Sequence, residues 1–177
     1  MQTIKYSTLK EPALIISPDF KFIASRPAYF IAFGFGSGLS PFAPGTAGTL
    51  AAFPLYALLY MASLSTLWFF ALIAALFLIG VWASHETGRA LGVADYGGIV
   101  WDEIVAFLAI LYFTPHTIGW FIAAFFIFRL FDIWKPYPIR YFDTHIKNGF
   151  GVMFDDALAA VYSVALIQGL VWIISKY

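Results

Sequence analysis

The chain has 177 residues, enough for one domain; 62% are hydrophobic and only 11% charged, with a mean hydropathy of +0.83. Soluble domains carry about 45–50% apolar and about 25% charged residues, so this excess, rich in Phe, Tyr and Trp, suits a chain whose outside also meets lipid. A net charge of zero implies no bulk attraction to nucleic acid, and the absence of cysteine excludes a thiol nucleophile and a disulfide framework.

Residues 1–28 form an expected cytoplasmic N-terminal segment, and 29–177 an all-α membrane domain. The first 27 residues scatter Lys5, Lys10, Glu11, Asp19, Lys21 and Arg26 without a sustained apolar core, unlike a signal peptide. Gly34 to Gly48 (GFGSGLSPFAPGTAG) reads as neither helix nor strand, but as a re-entrant or interfacial loop. Its backbone N–H groups suit an anion, and Ser37, Ser40, Thr46 and Thr49 add hydroxyls; equally, its glycines suit close helix packing.

A spanning helix needs roughly 20 apolar residues. Five candidates follow: Thr49–Ser63, Thr66–Ser84, Ile99–Phe113, Thr117–Trp134 and Ala157–Ser175. Basic residues favour the cytoplasmic side. With the N-terminus inside, only Lys176 among the Lys and Arg residues falls outside. The same map brings Asp102 and Glu103, Asp132, and Asp155 and Asp156 to the inner ends of three different spans.

Carboxylates in apolar segments are costly and functional by default. Trp101-Asp102-Glu103 suits a hard cation such as Mg²⁺, which takes oxygen ligands and leaves room for phosphate oxygens; alternatively the pair marks the membrane boundary or meets an Arg. Either acid can be the ligand. Arg129, Asp132 and Lys135 follow at i, i+3 spacing, with Arg140 just beyond Pro136. They read as a local ion pair, or as a phosphate clamp with Asp132 as a further ligand. Asp155 and Asp156 either cap the last span or join the acids. Asp143 reads as structural or peripheral. His116 is expected to be solvated at the outer turn, His85 to be structural, and His145 carries no signal. Motifs of cysteinyl-phosphate, aspartyl-phosphate and histidine-based phosphatases are missing, which leaves a carboxylate-held metal that activates water, with Arg and Lys stabilising developing charge.

The blocks Gly34–Pro41, Pro44-Gly45-Thr46, Ile99–Glu103, Phe128–Pro136, Pro138-Ile139-Arg140 and Asp155-Asp156 closely resemble the phosphatidylglycerophosphatase A family, in order from about Phe33 to Ala160. Ala106 departs from the Gly expected there. The resemblance implies an all-helical, Mg²⁺-dependent hydrolase of the bacterial cytoplasmic membrane. Its substrate would be phosphatidylglycerophosphate in the bilayer and its products phosphatidylglycerol and phosphate. It implies an acidic catalytic and metal site of Asp102, Glu103, Asp132, Asp155 and Asp156, with Lys135, Arg129 and Arg140 at the phosphate. The competing reading is a small transporter or channel, although no acid lies at mid-span and only one broken segment is present.

Overall fold

The structure is a computed structural model that describes residues 17–176; Lys5, Lys10 and Glu11 fall outside the described residues. Every regular element among those residues is helical, as expected. Short helices α1 (Phe20–Ala24) and α2 (Pro27–Ala32) lead into a 3-10 segment (Gly34–Leu39). Then follow α3 (Pro44–Met61), α4 (Thr66–Leu91), α5 (Trp101–Phe113), α6 (Ile118–Trp134), α7 (Ile139–His145) and α8 (Gly149–Ile174).

The glycine-rich stretch is thus mostly helical, contrary to the loop expected. Phe35 and Gly36 break the 3-10 segment at φ 58° and 106°, and Ala43 in the left-handed region turns the chain into α3, whose first residue is Pro44. Proline suits a helix start because its missing N–H has no intrahelical role there. A Cβ on Gly38 would collide with the carbonyl of Gly98, and one on Gly48 would lie 2.7 Å from Val100 Cβ. These glycines serve close backbone packing against the entry to α5.

Side-chain contacts give the helix directions. Tyr112 and Thr66 share a 2.7 Å hydrogen bond at one end, while Trp101 Nε1 donates to the Leu76 carbonyl (3.1 Å) farther along, so α4 and α5 are antiparallel. Gly80 faces Met153 and Trp101, and Gln168 donates to the Phe113 carbonyl, so α8 runs with α5. Gly45 lies beside Glu103, and Tyr56 bonds His116 at 2.8 Å, so α3 also runs with α5. Arg129 meets Glu103 while Phe121 meets His116, which makes α6 antiparallel to it. Helices α3 to α6 and α8 alternate in direction, with α5 in the middle. Ile104, Phe107, Leu108, Ile110 and Leu111 of α5 are essentially inaccessible.

Among the described residues two helices, not about five, are long and apolar enough to cross a membrane: α4 and α8. The reason is length. Helix α5 has 13 residues, about 20 Å at 1.5 Å per residue, against a hydrocarbon core of about 30 Å. At 17 residues α6 reaches about 26 Å, and α3 dilutes its 18 residues with Gly, Thr and Pro. The most apolar stretches of α4 and α8 are only 17% and 22% buried, so they are not core helices wrapped by the rest of the fold. Their exposed faces carry Leu67, Trp68, Leu78, Trp82, Val161 and Trp172, large apolar side chains left uncovered by the rest of the fold.

The last span also begins earlier than expected. Asn148 caps α8 by accepting from the N–H groups of Phe150 (3.0 Å) and Gly151 (3.1 Å), and glycines at 149 and 151 let the helix start against α4 and Ile146. Asp155 and Asp156 therefore lie in the second turn and do not cap.

Candidate active site

Three helices deliver the acids to one end of the bundle: α5 by its first turn, α6 by its last, and α8 by its second. Ligand oxygens of Asp102, Glu103 and Asp156 lie within 4.8 Å of one another. Asp102 and Asp156 are 8% and 3% exposed, and Asp102 Oδ1, Glu103 Oε2 and Asp156 Oδ2 are buried without a hydrogen-bond donor. Burying a charge without a partner is expensive, so such groups pair or coordinate metals. Acid-only donors at this spacing fit a hard, oxygen-seeking cation.

The other two acids are held by cations. Arg129 Nη1 is 2.6 Å from Asp132 Oδ2 and 3.6 Å from Glu103 Oε1, so α6 contributes both the local ion pair and a bridge to the acid group. The approach is not aligned for hydrogen bonding, and Arg129 Nε has no partner either. Arg129 keeps donor capacity for an incoming anion. Lys135 closes α6 in the left-handed region (φ 46°). From there its ammonium reaches Asp155 directly and Asp143 at 3.0 Å. Burial works against the Lys135 charge, but Asp155 and Asp143 outweigh it and hold the pKa above the usual lysine range. Partial burial likewise opposes ionisation of Asp143, and Lys135 and Lys147 more than offset it, leaving its pKa below the usual carboxylate value. Asp143, expected to be structural or peripheral, has the structural role: it pairs with Lys135.

The remaining candidates separate. Arg140 is exposed on α7 and lines a cavity of about 510 Å³ with Lys135, Trp134 and Tyr137; it makes no ion pair among the described residues. Ser37 Oγ donates to the Gly34 carbonyl (2.9 Å) and Ser40 Oγ to that of Phe42 (2.8 Å), so both hydroxyls brace their own turn. Thr46 sits in the first turn of α3, next to Gly45. Thr49 is fully buried and returns its hydroxyl to the Gly45 carbonyl. His116 is exposed but bonded to Tyr56, and His85 packs against Gly149 where α4 meets α8.

Two residues that the sequence did not single out belong here. Asp95, in the loop before α5, is near enough for its charge to act on Asp102 and Asp155. Gly45 abuts Glu103 and Arg129: a Cβ would collide with Glu103 Oε1 and stand 3.0 and 3.1 Å from Arg129 Nη1 and Nη2. Gly45→Ala is expected to lower kcat/KM about tenfold or more while far-ultraviolet circular dichroism stays unchanged, because small misplacements of reacting groups cost rate steeply. Unchanged kinetics would show that Glu103 and Arg129 have room to move.

The family profile described as Phosphatidylglycerophosphatase A matches residues 30–171. The Escherichia coli (strain K12) protein of that name is 42% identical over 145 residues, covering 81% of this chain and 83% of its own length. The Haemophilus influenzae protein of the same name is 44% identical over 143 residues, covering 80% of this chain and 87% of its own. A Bacteroides thetaiotaomicron relative, provisionally named a phosphatidylinositol-3-phosphatase, is 42% identical over 158 residues, 84% of this chain and 98% of that one. No solved structure matches the chain. With the match running through every helix that builds the acid site, this chain belongs to the phosphatidylglycerophosphatase A family and is a phosphoric monoester hydrolase.

Proposed function

We propose that the chain is a Mg²⁺-dependent lipid phosphatase that converts phosphatidylglycerophosphate to phosphatidylglycerol and phosphate at the cytoplasmic face of a bacterial membrane. The observation that carries the reading is the group of three clustered carboxylates, buried Asp102 and Asp156 with partly buried Glu103, each with a buried undonated oxygen, beside Arg129 and Lys135. Asp102, Glu103 and Asp156 would hold the metal, with Asp132 and Asp155 supporting from their ion pairs. When bound, the metal supplies Lewis-acid charge at the phosphoryl oxygens and acidifies water.

The chain's own residues do the rest. Arg129, fixed by Asp132 and Glu103, turns its remaining N–H groups toward the phosphoryl oxygens. Lys135, fixed by Asp155 and Asp143, adds a point charge, and Arg140 guards the outer approach. Hydrolysis joins a water oxygen to phosphorus and breaks the bond to the glycerol oxygen, which takes up a proton as the water gives one up, and these cations stabilise the charge that builds as the bond breaks. Gly45 keeps the space above Glu103 open. Residues 29–177 act as the membrane phosphatase domain, crossing the bilayer more than once, and residues 1–28 stay on the cytoplasmic side with most of the basic residues. A substrate with tails in the bilayer and phosphate at its surface reaches such a site without being extracted.

The test is phosphate release by the detergent-purified full chain from phosphatidylglycerophosphate, with Mg²⁺ and with EDTA. Release with Mg²⁺ that EDTA stops supports the reading; no release by folded protein overturns it. A phosphatidylinositol 3-phosphate arm addresses the Bacteroides relative's name, and preference for that lipid would replace the substrate proposed. In the same assay Lys135→Ala is expected to lower kcat/KM by about 10²-fold, the scale of one lost electrostatic contact. Asp143→Ala, which removes only one of the two groups holding Lys135, should cost less. Equal losses would make Asp143 as important as the cation it orients.

A further inference from the structure

A crevice of about 410 Å³ opens between α4, α5 and α8, with neither Arg129 nor Lys135 in its lining. Its floor is made of small residues, Ala106 and Ala109 from α5 with Ala157, Ala160 and Ala165 from α8, and Ile73 and Phe77 of α4 form a wall. Every lining side chain is apolar except one. Asp102, 8% exposed and with Oδ1 undonated, lines the crevice at its active-site end.

We infer that this crevice seats one acyl chain of the lipid substrate and so positions the headgroup over the carboxylates. The inference rests on the lipid-phosphatase reading. Four observations fix the occupant. The crevice is continuous with the acid group through Asp102, so its contents reach the chemistry. It offers no hydrogen-bond donor to hold a polar ligand. Its lining runs from Met153 to Ala165 along α8, about 18 Å at 1.5 Å per residue, close to the roughly 15 Å of one leaflet of a 30 Å hydrocarbon core. It is also too small to enclose a helix of a second copy: all the non-atom space in it comes to about 880 Å³, whereas a helix about 10 Å across would occupy roughly 1,400 Å³ over that length.

A chain leaving the bilayer gains no hydrophobic free energy here, because lipid tails are as apolar as the crevice. The crevice acts by orientation: a chain held along α8 limits where its glycerol and headgroup can lie. Alanine at 106, where the resemblance leads one to expect glycine, adds a methyl to the lining one turn from Asp102.

The test is Ala109→Phe, which fills the crevice about 10 Å beyond Asp102, about two turns along α5. Hydrolysis of dipalmitoyl and dihexanoyl phosphatidylglycerophosphate is compared in mixed micelles at equal surface fraction. The variant is expected to lose about 10- to 100-fold in kcat/KM on the long-chain lipid, the cost of mispositioned reacting groups, and to keep wild-type kinetics on the short-chain lipid, whose chains end before residue 109. Wild-type kinetics on both lipids, in either Ala109→Phe or Ala165→Phe, would overturn the crevice as a chain site. Loss on both lipids by Ala109→Phe would signal misfolding, and Ala165→Phe, at the far rim, then decides between the two outcomes. A long-chain lipid bearing a diazirine at mid-chain gives a readout without turnover: labelling of the α5 and α8 segments supports the proposal, and labelling spread around the bundle sinks it. If the wild-type chain hydrolyses neither lipid, the lipid-phosphatase reading itself fails, which is distinguishable from failure of the crevice alone.

Discussion

Replacing Asp156 by Asn should reduce phosphate release by about 10²–10³-fold, the loss that follows removal of one preorganised electrostatic contact from an active site. The fold should survive, because the change neutralises one of three carboxylates clustered together. Asp156 Oδ2 has no donor, so in metal-free protein its charge is a cost and not a support. The variant is therefore expected to unfold in EDTA at or above the wild-type temperature. Adding Mg²⁺ should raise the wild-type midpoint, since a ligand at 100 times its Kd adds about 2.7 kcal/mol of stability, and should barely move that of the variant. A Mg²⁺-dependent rise of wild-type size in Asp156→Asn would remove this residue from the metal site, whatever its activity. Asp102→Asn is expected to behave alike, since its Oδ1 is equally undonated.

Arg129→Met should be the most destabilising single change in the site. The side chain is 15% exposed and stands between Asp132 and Glu103, themselves 12% exposed. Taking away one member of a buried charge pair leaves the other uncompensated, typically at a cost of 3–5 kcal/mol, so a clear fall in unfolding temperature is expected together with loss of turnover. Arg129→Lys separates the two roles. A lysine can neutralise Asp132 and restore much of the stability, but a compact ammonium cannot grip the carboxylates and still present a fork to phosphate. Stability should return and activity should not. An Arg129→Met protein as stable as wild type in EDTA would mean that the acids shed their charge when alone, and that the arginine serves the substrate only.

How far the sequence could be read depended on whether the cause was local. Carboxylates in an apolar run announce themselves wherever the chain goes, so Asp102, Glu103, Asp132, Asp155 and Asp156 stood out without coordinates. Gly45 did not, because its meaning lies in the absence of a side chain beside residues 58 and 84 positions away. Asp95 and Asp143 are ordinary loop and short-helix acids in the sequence; only folding brings them to Asp102, Asp155 and Lys135. The glycine-rich stretch was misread for the same reason. Glycine weakens isolated helices, but here Gly38 and Gly48 let backbone lie against Gly98 and Val100, and that packing sustains a 3-10 segment and the start of α3.

Composition and the length of the apolar runs, which act residue by residue, were enough by themselves to expect a helical membrane chain, and the resemblance of its motif blocks to a known family pointed to the lipid phosphatases. Only the tertiary structure decided how the five acids divide. Asp102, Glu103 and Asp156 converge, while Asp132 and Asp155 are claimed by Arg129 and Lys135. It also decided which helices can cross a bilayer, because helix length is set by caps and neighbours: Asn148 starts α8 early, and α5 stops after 13 residues at Thr114 and Pro115. The physical reason is common to both. A side chain's type is written in the sequence, but its partner is a property of distance, and distance exists only once the helices have packed.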